Sequence, residues 1–117
     1  MESLRTNEEF RNCYKTGKSY ANRYLVLYVC AEPNRTGHFT EQNRLGISVS
    51  KKVGNSVNRH KIRRRIKEVY RLHESMFNSG LDMAVVARTA AKDAAYQEIE
   101  SAFLSLSRKA GILRESV

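Results

Sequence analysis

Residues 44–71 read RLGISVSKKVGNSVNRHKIRRRIKEVYR, and the change of period inside this stretch sets the fold. Leu45, Ile47 and Val49 alternate with Gly46, Ser48 and Ser50. That period of two marks a strand with one apolar face and one small, polar face that leaves room for something to lie against it. Gly54, Asn55 and Ser56 then break the pattern and supply a helix cap. After them Ile62, Ile66, Val69 and Tyr70 recur at helical spacing, which predicts a helix over about 57–77, closed by Asn78-Ser79-Gly80.

The charge is concentrated in the same place. Nine of the chain's 21 Lys and Arg fall between Lys51 and Arg71 with one acid, Glu68, so this window carries +8 of the net +9. Like charges at i,i+4 repel, and one carboxylate cannot neutralise the run, so the helix is built to meet a polyanion such as nucleic acid. Arg59, Arg63 and Lys67 are four apart and share one flank with His60 and Arg64 adjacent, whereas Lys61 and Arg65 turn to another side. Two basic flanks suit two strands, or two segments of a folded nucleic acid.

Outward from this core the pattern is mixed. Thr6 to Glu9 matches a capping box, Phe10 and Tyr14 sit on one helix face and Gly17 can end a helix over 7–16. YLVLYVC at 24–30 reads as a strand covered on both faces, with Tyr24, Val26 and Tyr28 on one side. Residues 31–43 are turn-rich, with a short strand near Phe39 and Thr40, and connect two strands expected to be antiparallel. LDMAVVA at 81–87 is a further strand. A last helix over about 91–109 buries Tyr96, Ile99, Phe103, Leu106 and Ala110, with Asp93 as its cap and Asp82 at a strand edge. The order is α-β-β-β-α-β-α in one domain spanning residues 1–117.

Composition removes several classes. No apolar run approaches the roughly 18 residues of a membrane span, and MESLRTNEEF is too polar for a signal peptide, so a cytoplasmic protein is expected. Membrane-surface binding is disfavoured because the helix's apolar stripe is needed for the core. Cys13 and Cys30 lack the paired spacing of a zinc site and read as reduced, partly buried thiols. His38, His60 and His73 have no partner at metal-ligand or triad spacing, so neither a catalytic group nor a metal site is assigned. Phe10, Tyr14, Tyr24 and Tyr28 could form a platform for unstacked bases of single-stranded RNA.

GNSVNRHKIRRRIKEVYR preceded by RLGISVSKK resembles the signature of the bacterial ribonuclease P protein subunit, whose basic helix carries Arg-Asn-Arg-x-Lys-Arg-x-x-Arg-Glu. Arg59 to Glu68 occupies that motif. Arg59, Arg64 and Glu68 match, while His60 stands for the Asn, Lys61 for the second Arg, Arg63 for the Lys and Lys67 for the last Arg. The likeness extends to F-x-x-x-Y-K-x-G-K-S from Phe10 to Ser19, to LVLY at 25–28 and to ARTAAKDAAY at 87–96.

The resemblance implies an α+β fold, a small single-domain α/β sandwich of the ribosomal protein S5 domain 2-like type, whose basic helix forms a left-handed β-α-β crossover. It also implies a function. In this family a catalytic RNA removes the 5′ leader of precursor tRNA by magnesium-dependent phosphodiester hydrolysis, and the protein binds that RNA and the single-stranded leader. Mg2+ is then expected at the RNA active site and not tightly on this chain, and no obligate protein partner is implied. Carried over residue by residue, the leader cleft falls on Phe10, Tyr14, Tyr28, Arg59, His60, Arg63 and Lys67. The other flank, Lys61, Arg64 and Arg65 with Lys51 and Lys52, is left for the catalytic RNA. The alternative is a general RNA-binding structural protein, such as a ribosomal protein, with the same electrostatics and no role in cleavage.

Overall fold

The computed structural model describes residues 2–3, 7–30 and 43–114. The elements in chain order are β1 (Glu2–Ser3), α1 (Asn7–Thr16), β2 (Lys18–Ala21), β3 (Leu25–Val29), β4 (Arg44–Ser48), α2 (Ser56–His73), β5 (Asp82–Ala87) and α3 (Tyr96–Lys109). The strands form one sheet in the order β1-β4-β5-β3-β2. The capping-box side chains of Thr6 and Glu9, the strand expected near Phe39 and Thr40, and His38 lie outside the described residues.

The alternating pattern of β4 continues across the sheet. Leu45 pairs with Met83 and Leu27 with Val85 in the ladders that flank β5. These side chains face α2 and α3 and merge with Ile62, Ile66, Val69, Tyr70, Ile99, Phe103 and Leu106 into the main core. The opposite face carries Tyr28, Ala84 and Gly46 in one row. There Ala84 packs with Cys13 of α1 and with Cys30, flanked by Phe10 and Tyr28, in a second, smaller cluster. Three layers result, α1, sheet, and α2 with α3.

Burial of β3 on both faces is explained by this arrangement, but its neighbour is not the one expected. β3 and β4 do run in opposite directions, yet β5 lies between them, antiparallel to β3 and parallel to β4. An adjacent parallel pair requires a crossover, and α2 provides it. The Arg44 amide donates to the Leu81 carbonyl at 2.8 Å, so the even-numbered residues of β4 turn their peptide groups toward β5. For L-residues, the odd-numbered side chains Leu45 and Ile47 then stand on the face from which, with both strands upward, β5 lies to the left. That is the face covered by α2, so the β4-α2-β5 crossover is left-handed, the rare hand.

Helix boundaries follow local chemistry. Asn55 caps α2, its Oδ1 accepting from the Asn58 amide at 2.9 Å. The α-helix ends at His73 and not at 77, because Glu74–Met76 tighten into a 3-10 turn that drives Phe77 into the core. Gly80, at φ 75°, then reverses the chain into β5. At the other end, Thr89–Asp93 form a separate 3-10 turn, and α3 starts only at Tyr96. Asp93 is therefore not its cap; the Glu98 carboxylate accepts from the Ala95 amide at 2.9 Å instead. Asp82 is likewise no edge residue: it opens the central strand β5 and is paired with Arg44 in the interior.

Candidate nucleic-acid interface

α2 buries the predicted stripe, Ile62, Ile66, Val69 and Tyr70, and leaves the rest of its circumference to charge. Arg59 and Arg63 are half-buried where the helix meets the sheet edge, while His60, Lys67, Lys61 and Arg64 are exposed. Glu68, the single acid of the run, accepts a fork from Arg71 through Nε at 3.1 Å and NH2 at 2.6 Å. This hydrogen bond is the main reason the Glu68 carboxyl is held below the usual carboxylate range. Its charge is thereby spent one turn downstream, away from Arg59, Arg63 and Arg64.

Opposite α2, the aromatic residues of α1 and β3 meet edge to face. The rings of Phe10 and Tyr14 are 6.1 Å apart, and Tyr14 stands against Tyr28 at 4.7 Å with the planes 69° apart. T-shaped contact at this range is favourable and fixes the ring angle. Partial burial, reinforced by Tyr28, pushes the Tyr14 hydroxyl above its usual pKa, and a hydrogen bond with Ser48 only partly offsets this. The phenol stays neutral at physiological pH, with 39% of Tyr14 exposed for a stacking partner.

Between these two walls lies a groove of about 560 Å³. Phe10, Arg11 and Tyr14 of α1 form one side, Ile47 and Ser48 of β4 and the adjoining Val49 the floor, and Arg63 of α2 the other side. The sheet leaves this floor open because β1 pairs only with Arg44 and Leu45. Among the described residues, the rest of the β4 edge has no neighbouring strand.

Of the seven residues assigned from sequence to the leader cleft, Phe10, Tyr14 and Arg63 line the groove, and Tyr28 supports the Tyr14 ring. Arg59, His60 and Lys67 continue the Arg63 flank along the helix without lining the groove itself. Arg59 Nε is buried and has no hydrogen-bond partner among the described residues. Sequence reasoning missed Arg11, Ile47, Ser48 and Val49. The small polar face of β4 was the available signal, but which strand would lie at the sheet edge was not.

Lys51 and Lys52 sit exposed in the turn before α2, and Lys61 and Arg64 are exposed on the helix itself. Arg65 differs: its NH1 donates to the Ala94 carbonyl at 2.6 Å, tying α2 to the segment before α3. Its guanidinium has an intramolecular task that the charge pattern did not reveal.

Comparison with known proteins converges on one family. The family model described as Ribonuclease P matches residues 1–111. The chain is 52% identical over 115 residues to the ribonuclease P protein component of Lachnoclostridium phytofermentans, covering 98% of this chain and 94% of that one. It is 50% identical over 110 residues to that of Clostridium botulinum strain Loch Maree, covering 93% and 94%. Its fold superposes on the RNase P protein of Staphylococcus aureus with a TM-score of 0.84 at 37% identity, covering 97% of this chain and 99% of that one. The RNase P protein of Thermotoga maritima gives 0.76 at 27% identity, covering 92% and 97%. A match over almost the whole length, with the groove and the basic crossover helix inside it, means that this chain belongs to the ribonuclease P protein component family.

Proposed function

We propose that this chain works in bacterial ribonuclease P by holding the catalytic RNA on one flank of α2 and the single-stranded 5′ leader of precursor tRNA on the other. The groove carries this reading. Single-stranded RNA is recognised by rings on which unstacked bases lie and by cations that follow the backbone. Phe10 and Tyr14 supply the rings, Arg63 the cation within the groove, and Arg59, His60 and Lys67 extend the track. Lys51, Lys52, Lys61 and Arg64, which do not line the groove, meet the catalytic RNA.

Phosphodiester hydrolysis is assigned to the RNA, with Mg2+ at the RNA active site, and the reaction takes place in the cytoplasm. No three His, Cys, Asp or Glu side chains among the described residues are placed to hold a metal ion. No helix of the described residues is long and apolar enough to cross a membrane. The chain's contribution is to position substrate: leader contacts strengthen binding of the precursor over the mature product. Reconstitution tests this. Adding the chain to a bacterial ribonuclease P RNA at physiological magnesium should raise precursor tRNA cleavage above that of RNA alone, and equal cleavage with and without it would overturn the proposal.

A further inference from the structure

Beneath the aromatic wall lie two thiols that the binding reading does not use. Cys13 is 1% exposed and Cys30 7% exposed, and with Ala84 they form the small cluster between α1 and the sheet. The two side chains share a hydrogen bond and no disulfide joins them. Their positions in sequence matter: Cys13 directly precedes Tyr14, and Cys30 follows Tyr28 by two residues. The pair therefore bridges the helix and the strand whose rings meet at 4.7 Å. A second observation shows how closely the backbones approach. A Cβ at Gly17 would overlap both the Cys13 carbonyl oxygen and the Val29 carbonyl oxygen, so α1 is drawn against the end of β3 immediately beside Cys30.

We propose that Cys13 and Cys30 form an oxidisable dithiol whose disulfide weakens the grip of the groove on the leader. Hydrogen peroxide is the oxidant considered. A Cys thiolate attacks the O–O bond, giving a sulfenic acid and, after proton transfer, water; the second thiol displaces the sulfenic oxygen as a second water and the S–S bond forms. Two sulfurs together lose two electrons and two protons, and one peroxide becomes two waters. A disulfide brings the sulfurs to about 2.05 Å, far closer than a thiol hydrogen bond. With no slack beside Gly17, α1 must turn to close that gap, and Phe10 and Tyr14 turn with it.

Burial, reinforced by Cys30, pushes the Cys13 thiol up to about 12, so the docked helix supplies little thiolate. Attack therefore waits for α1 to lift, and an RNA strand stacked on Phe10 and Tyr14 holds α1 down. Oxidation should be slower with precursor bound, because the thiols are then less often uncovered.

The inference rests on the leader-binding reading, and the experiment separates the two. The full chain is treated with hydrogen peroxide, followed by intact mass and peptide mapping. The holoenzyme, reconstituted on a bacterial ribonuclease P RNA, is then titrated with precursor and mature tRNA. The expected result is loss of two hydrogens, a crosslinked peptide pair holding Cys13 and Cys30, and precursor affinity lowered at least about fivefold with mature tRNA unchanged, the lower end of what losing one base stack does. Dithiothreitol should restore affinity, and Cys30→Ala should bind normally and ignore peroxide. Oxygen adducts without a crosslink overturn the dithiol, and a crosslink that leaves the precursor-to-mature ratio unchanged overturns its coupling to the groove. A reduced enzyme without precursor preference would instead sink the reading underneath, while the mass data still judge the disulfide.

Discussion

Arg44 and Asp82 face each other across neighbouring parallel strands as a two-point ion pair, through Nε to Oδ1 at 2.8 Å and through NH2 to Oδ2, with side chains 3% and 2% exposed. Such a pair costs much desolvation, but removing one member strands a buried charge. Arg44→Met should therefore lower stability by about 3–5 kcal/mol, whereas Arg44→Met combined with Asp82→Leu should recover most of the loss. Urea unfolding of the two variants checks this, and equal losses would argue against the stranded charge as the cause.

The two flanks of α2 predict separable defects. Arg63→Ala should weaken holoenzyme binding of precursor tRNA more than mature tRNA, because only the precursor carries a leader. Arg64→Ala should weaken assembly with the catalytic RNA, and each change should lower the salt slope of its own binding step by about one unit. Arg65→Ala should instead destabilise the free protein by about 1 kcal/mol, since it breaks the bond to Ala94. Binding isotherms across a salt series, with unfolding curves beside them, separate these effects. Equal loss for precursor and mature tRNA in Arg63→Ala would remove Arg63 from the leader site.

Gly17→Ala should destabilise by about 1–3 kcal/mol, since the added methyl meets the Val29 and Cys13 carbonyls, neither of which can swing aside as a side chain would. α1 would be pushed off β3, so precursor affinity should fall along with stability. Thermal unfolding and tRNA titration of the same variant test both parts.

The thiol of Cys13 predicts an alkaline limit. Its pKa is raised from 9.0 to about 12, by burial first and Cys30 second. The folded chain keeps the proton where the unfolded chain loses it, so this contribution is intact below about pH 9 and is lost as pH rises toward 12. The slope approaches ~1.4 kcal/mol per pH unit. Burial raises Tyr14 and Tyr70 in the same sense, adding to the loss above pH 10. Unfolding free energies measured on either side of about pH 9 should show the decline in the native chain and a shallower one in Cys13→Ala.

The elements legible in sequence were those with a period. α1, β3, β4, α2 and β5 fall within a few residues of their expected bounds because Ile62, Ile66, Val69 and Tyr70, or Leu45 and Ile47, repeat at 3.6 or 2. β2 was missed: Lys18, Ser19 and Ala21 are exposed and Tyr20 half-buried, so KSYA has no apolar face to announce it and exists because β3 offers a ladder. The insertion of β5 between β3 and β4 is a matter of long-range pairing, to which local pattern is blind. In the groove, Phe10, Tyr14 and Arg63 were readable from ring and charge spacing. Arg11 and the β4 floor were not, because their exposure depends on where the sheet stops.

Glu68 and Arg71 hold each other on the last two turns of α2, while Asn55 opens the helix with no acid in its first turn. The free amides at that first turn add the positive end of the helix dipole to the arginines nearby. α2 thus presents a potential that declines from its start toward its end, and a polyanion is drawn to its first half. The helix acts as a slope as much as a surface, giving an arriving RNA strand a direction before any base has touched a ring.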